Sequence, residues 1–137
     1  MRSRAFLIIV GFLVLASGCS GGQGSGLVGK WAMTSFPGIV VGGATLELTD
    51  VPAGGSGAYL YRWTGTCNAH EGVYILEDAR ITFAEDVESL EGCEGVVART
   101  DLRLRVFLSD VVSWRSSRGF LFLVTEDSGT ARFDRQS

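Results

Sequence analysis

Between Gly65 and Tyr74 the chain reads GTCNAHEGVY, placing a cysteine, an asparagine, the only histidine, a glutamate and a tyrosine in one short run. Cys67 and His70 have the C-x-x-H spacing that supplies two zinc ligands, since a thiolate and an imidazole both suit that metal. A structural zinc site normally closes with four ligands, and Cys93 is the one further Cys or His beyond the N-terminal region. The nucleophilic alternative is a Cys67 thiolate activated by His70, and a disulfide at Cys67 abolishes it. The acidic run EDVESLEGCE offers Glu85, Asp86, Glu88, Glu91 and Glu94 as hard oxygen ligands for calcium, without the spacing of an EF-hand loop. GSGLVGKW, Gly24 to Trp31, begins like a phosphate-cradling loop but carries Trp31 where the magnesium-binding hydroxyl belongs. No G-x-S-x-G elbow occurs. The residues therefore predict no catalytic group, no metal and no cofactor, and they assign the stretch to architecture: Asn68 suits a turn, Gly72 a close backbone approach, Tyr74 the start of a buried strand.

The elements that must position these residues are mostly strands. GATLELTD alternates Ala44, Leu46 and Leu48 against Thr45, Glu47 and Thr49. AYLYRWTG alternates Tyr59, Tyr61 and Trp63 against Leu60, Arg62 and Thr64. A period of two places one face against a core and the other in water. Further strands are expected at Leu27–Ser35, Gly72–Glu77, Arg80–Ala84, Phe120–Thr125 and Thr130–Arg135, joined as antiparallel hairpins by Gly, Pro, Asp and Ser punctuation. From about Thr100 to Trp114 the rhythm changes, and Leu104, Phe107, Leu108 and Val111 recur at helical spacing. Thr100 or Asp101 is expected to cap this helix, and Asp101 to pair with Arg105 one turn on. The fold class is thus β-rich α+β: a curved antiparallel sheet or partly open small barrel with one amphipathic helix at about 100–114.

The N-terminus bears on the compartment. Arg2 and Arg4 precede the uncharged run AFLIIVGFLVLA, Ala5 to Ala16. At about 1.5 Å per residue that run is too short for a bilayer core of about 30 Å. A basic start, an apolar middle and small residues describe a signal peptide over residues 1–18. LASGC resembles the lipobox of bacterial lipoproteins, which implies lipidation at Cys19 and attachment to a membrane. SGGQGSG then reads as a Gly/Ser tether over residues 19–26, and residues 27–137 as a single domain. Removing residues 1–18 leaves 10 basic and 15 acidic side chains. That acidic balance speaks against a nucleic-acid partner. With Cys19 consumed by lipid, Cys67 and Cys93 are left as a pair in an oxidising setting. Either they form a disulfide, or they remain two buried thiols acting as small hydrophobes.

LVGKW at the start, GTCNAHEGVY in the middle, then ARITF, SLEGC, a helix and a closing GFLFLVTEDSGTARF together resemble the META domain of the HslJ-like group of bacterial lipoproteins. The resemblance covers nearly all of Leu27 to Phe133. Its motif falls on Cys67, Asn68, Gly72 and Tyr74, with the second cysteine at Cys93. Thr66 stands where the family usually has glycine, and Ser89 where it often has threonine. The resemblance implies a β-rich barrel with one helix, no accepted catalytic residues, and a non-catalytic envelope lipoprotein. Such a protein would act as a scaffold or partner-binding module in envelope maintenance or stress. In a diderm source it would sit on the outer membrane facing the periplasm. An alternative is a carrier, with Tyr59, Tyr61 and Trp63 lining an apolar groove for a small hydrophobic ligand and with Phe120 and Phe122 on a second apolar face.

Overall fold

The computed structural model describes residues 26–38, 42–88 and 92–137, and of residues 85–88 the backbone only. The expected signal segment, Cys19 and the tether as far as Ser25 lie outside these residues, as does Ser89. Eight strands follow in order: β1 (Gly29–Ser35), β2 (Thr45–Pro52), β3 (Ala58–Thr64), β4 (Ala69–Glu77), β5 (Arg80–Glu88), then β6 (Val111–Ser117), β7 (Phe120–Thr125) and β8 (Thr130–Arg135). One helix, α1 (Gly95–Asp110), joins β5 to β6. Each strand pairs antiparallel with its neighbours, and β1 pairs with β8, so the sheet closes into a barrel without free edges.

The β5–β6 seam is the thinnest part of the ring. One register pair, Arg80↔Ser113, and a 3.2 Å bond from Trp114 N–H to the Ala79 carbonyl hold it. Because successive strands reverse, the turns gather at two ends. Gly26, the 53–57 turn, Asp78–Ala79, Arg118–Gly119 and Arg135 share the end where the N-terminal chain enters. Phe36, the 65–68 turn, Val111 and the 126–129 turn share the other, and α1 lies across it.

The interior is filled by side chains, as an eight-stranded barrel allows. Trp63 meets Phe133 edge to face at 6.2 Å, and Tyr61 meets Phe83 at 5.2 Å. Leu46, Leu48, Ile81, Leu121 and Leu123 fill between them. The Trp31 indole N–H donates to the Leu27 carbonyl at 2.9 Å, so its one polar atom is satisfied.

Three expectations need correcting. Tyr59, Tyr61 and Trp63 do share the inner face, but Tyr61 and Trp63 are core residues and Tyr59 packs on Tyr74 at 5.5 Å. Closure of the ring brings β7 and β8 opposite and their side chains occupy the space, so the three line no common groove; Tyr61 and Tyr59 border two separate hollows on the outside. Phe120 and Phe122 face outward instead, since the register Leu121↔Phe133 and Leu123↔Ala131 turns the leucines in. The helix spans 95–110 rather than 100–114. Residues 111–117 form β6, whose backbone bonds to β7 through Val111↔Thr125 and Arg115↔Phe122. Val111 is still buried, as the first residue of that strand. Neither Thr100 nor Asp101 caps the start; Glu94 occupies that position with no side-chain bond, and the Thr100 hydroxyl donates back to the Val96 carbonyl.

If the interior carries the stability, Trp63→Ala should cost about 3–5 kcal/mol in chemical denaturation. Leu60→Ser on the outer wall should stay within about 0.5 kcal/mol.

Candidate functional site

The 65–74 stretch leaves β3, turns, and becomes β4. The turn is closed by Gly65 N–H donating to the Asn68 carbonyl at 2.8 Å. Its other donors converge on a residue that sequence inspection placed at a helix start. Asp101 lies inside α1 on the same face as Leu104 and Leu108, and is only 4% exposed. Its carboxylate accepts from Thr66 N–H at 2.6 Å, the Thr66 hydroxyl at 2.7 Å, Cys67 N–H at 3.3 Å and Asn68 N–H at 2.7 Å. Burial alone would push this carboxyl up. The Thr66 hydroxyl and the N–H groups of Asn68, Thr66 and Cys67 outweigh burial and hold it below its ordinary value. Its charge is thus spent on the turn. The sequence signal was available: position 101 falls on the buried stripe 101–104–108, where an acid demands donors.

Beside this clasp, Cys67 and Cys93 stand with Cα atoms 6.3 Å apart, inside the range that a disulfide takes. The Asn68 side-chain amide donates to the Cys93 sulfur at 3.4 Å. Gly72 sits where β4 shifts register against β5. A Cβ there would overlap the Ala84 carbonyl oxygen and fall 2.9 Å from the Tyr61 ring. Glycine is therefore required by close approach. The Tyr74 hydroxyl donates to the Thr49 carbonyl at 2.6 Å. Burial, with Tyr59 and Asp50 adding, pushes its pKa up to about 12, so it remains a donor. All four motif residues, Cys67, Asn68, Gly72 and Tyr74, thus make structural contacts.

His70 lies on β4, before the strand start expected at Gly72. Strand alternation from Ala69 points it inward, where it is 2% exposed beside Trp63, Phe83 and Leu108. It faces a cavity of about 40 Å³ beneath α1, while Cys67 faces Cys93. Among the described residues, no three His, Cys, Asp or Glu side chains gather as a metal site. The acidic run from Glu85 falls largely outside the described side chains. Lys30 lies on β1, not at a helix start.

The larger concavities are all on the outside. One of about 440 Å³ lies between Phe36, Leu102, Val106, Phe107 and Asp127. Along it α1 exposes Val96 at 70%, Leu102 at 58% and Val106 at 51%, interspersed with Arg99 and Arg103. This outer apolar face is not expected from the sequence, where the inner stripe Leu104, Phe107 and Leu108 already accounts for the helix. A groove of about 420 Å³ on the β2–β4 wall is flanked by Leu60, Val73 and the Arg62–Glu71 ion pair.

This is an up-and-down barrel clasped at one end by α1. The chain belongs to the META domain family, which it matches over residues 27–137. Its fold is similar to that of a protein from Burkholderia xenovorans solved by NMR, with a TM-score of 0.64 at 17% identity, covering 80% of this chain and 82% of that one. A crystal structure of a duf4847 family protein from Bacteroides vulgatus matches with a TM-score of 0.48 at 11% identity, covering 69% of this chain and 62% of that one. No curated protein matches the chain.

Two outcomes follow from the clasp. Non-reducing peptide mapping of the protein isolated from its source should recover a Cys67–Cys93 linked peptide. Cys93→Ala should cost about 3.5 kcal/mol and lower the melting temperature by about 10 °C or more. Recovery of two alkylatable thiols would reverse this assignment. Asp101→Asn should cost about 1–3 kcal/mol at neutral pH. Because the folded carboxyl titrates below the unfolded one, its contribution is complete above the ordinary carboxylate range and is lost as pH falls through the lower, folded value. The wild-type advantage over Asp101→Asn, read by urea titration, should therefore shrink only in acid below about pH 4.

Proposed function

We propose that this protein is a non-catalytic envelope lipoprotein, anchored through Cys19, that acts by binding a protein partner at the outer face of α1. The observation that carries this reading is the filled interior. Trp31, Trp63, Tyr74 and Phe133 occupy the barrel, and the cavity of about 40 Å³ beneath α1 has room for little more than one water. The interior at Tyr61 and Trp63 has no space for a carried hydrophobic ligand, so any recognition falls to the surface.

The apolar and basic face of α1 supports this choice. Val96, Leu102 and Val106 keep apolar area in water, and clustered exposed apolar area marks interaction sites. Arg99 and Arg103 beside them suit an acidic, apolar segment of a partner. Geometry agrees with an anchored module, because Gly26 enters at the end opposite α1, so a lipid at Cys19 would leave the helix clear of the anchor and open to a partner. A role as scaffold in envelope maintenance fits these features, on the outer membrane in a diderm cell.

Intact mass of membrane-extracted protein should exceed that of the chain beginning at Cys19 by its acyl groups, and Cys19→Ser should move the protein to the soluble fraction. One acyl chain alone gives marginal attachment, so more than one is expected. In envelopes, photo-crosslinks placed on α1 should disappear in Leu102→Glu/Val106→Glu while the melting temperature is kept. A soluble wild-type protein with an unmodified N-terminus, or crosslinks indifferent to α1, would overturn the proposal.

A further inference from the structure

The outer wall of β6, β7 and β8 differs from the rest of the barrel. Across three strands the register aligns Arg115, Phe122 and Arg132 in one row, with Ser117, Phe120 and Asp134 in the next. The Arg115 guanidinium lies 4.7 Å over the Phe122 ring and that of Arg132 lies 4.0 Å over Phe120. Shielding two outward phenylalanines is one consequence of this stacking. The other is that two cations are held two strand spacings apart, about 10 Å, on one wall with the phenylalanine strand β7 between them. Arg118 stands at the adjoining turn, and Arg135 at the end of β8 bonds the carbonyls of Gly26 and Val28 while covering Trp31. Among the described residues no carboxylate pairs with Arg115, Arg118 or Arg135, and Arg132 meets Asp134 at 3.3 Å.

The charge is segregated. On the opposite wall and its turns stand Glu47, Asp50, Glu71, Glu77 and Asp78, together with Arg62, Arg80 and, opposite Glu47 on β1, Lys30. Glu126 and Asp127 lie at the far end, beside α1. A chain that is acidic overall therefore presents one cationic, aromatic wall. Apart from Asp134, which meets Arg132, the acids of the walls stand across the barrel, and the screening length of about 8–10 Å at moderate salt separates the two faces.

The N-terminal chain arrives beside this wall. At Gly26 a Cβ would lie 3.3 Å from the Ser116 hydroxyl oxygen on β6. Between Cys19 and Gly26, seven residue steps reach at most about 25 Å. We infer that the β6–β8 wall, through Arg115, Arg118 and Arg132 with Phe120 and Phe122, rests on an anionic phospholipid surface. Arginines meet headgroup phosphates and the ring edges enter the interface, orienting the barrel while the acyl chains hold it. The choice of lipid as occupant rests on the Cys19 anchor proposed above.

The barrel closes within residues 29–135, so the chain from residue 19 carrying Cys19→Ser keeps its fold without acyl groups. It should co-float with equimolar phosphatidylglycerol–phosphatidylcholine vesicles at low salt, not with phosphatidylcholine alone, and detach as salt rises. Arg115→Gln and Arg132→Gln should each lower partitioning about fivefold. Arg118→Asn, which suits the left-handed backbone at φ 52°, should do the same without touching the packed wall. Arg62→Gln on the opposite wall should change nothing. Equal flotation with both vesicles, or variants that float like the parent, would overturn the inference. So would self-association of the parent in free solution that Arg115→Gln abolishes. Acylated Cys19 without selective flotation sinks this inference alone, whereas unmodified Cys19 in the wild type sinks the anchor and the choice of lipid with it.

Discussion

One buried carboxylate holds the molecule's end together. Asp101 sits within a helix whose only covalent links to the sheet are its two ends, yet it gathers donors from three consecutive residues of a distant turn. A buried charge is tolerable only when its lone pairs are filled, and bonds to a charged acceptor are stronger than neutral ones. The turn gains as much as the acid does, because the N–H groups of residues 66–68 have no strand partner there and would otherwise be left under the helix. Gly65 belongs to the same arrangement: a Cβ on it would approach the Asp101 oxygen to 2.5 Å. The cysteine pair and the amide of Asn68 lie immediately alongside, so helix, turn and the approach to α1 meet at one point.

That clasp also explains how a ring with a thin seam stays closed. Between β5 and β6 the sheet has a single register pair, and α1 is the segment that connects those strands. Fixed at Asp101 and packed through Leu104, Phe107 and Leu108, the helix covers the end of the barrel and the aromatics beneath it. The cost is borne on its other side, where Val96, Leu102 and Val106 stay in water. A filled interior leaves the two ends and the outer walls as the surfaces with which the protein meets anything else. The ends are unlike: one is capped by an apolar and basic helix, the other receives the N-terminal chain.

The architecture of the walls was written in the sequence. Strict alternation of Leu46 and Leu48, or of Tyr61 and Trp63, can be satisfied only by a strand with one buried face, so seven of the eight strands were legible from local pattern. Gly72 and Asn68 were likewise readable as a close approach and a turn. The eighth strand was not. Residues 111–117 continue the helical periodicity of Leu104 and Leu108, and they become β6 only because β7 offers hydrogen-bond partners, a non-local gain that no window of sequence contains.

Inside and outside were decided in the same way. Phe120 and Phe122 are more apolar than many core residues, but register against β8 puts Leu121 and Leu123 inward and leaves the rings to the arginines. Tyr59, Tyr61 and Trp63 could have lined a groove or filled a core, and ring closure filled it. His70 lies before the strand expected at Gly72, but β4 begins three residues earlier, at Ala69, and carries it inward. Asp101 reads as a helix cap until the 65–68 turn is folded beneath it. By itself the sequence determined the strand-rich class, the one helix and the cysteine pair, because alternation, periodicity and residue type are local properties. The tertiary structure decided which faces are buried and what the one buried acid holds, because those depend on partners many residues away in the chain.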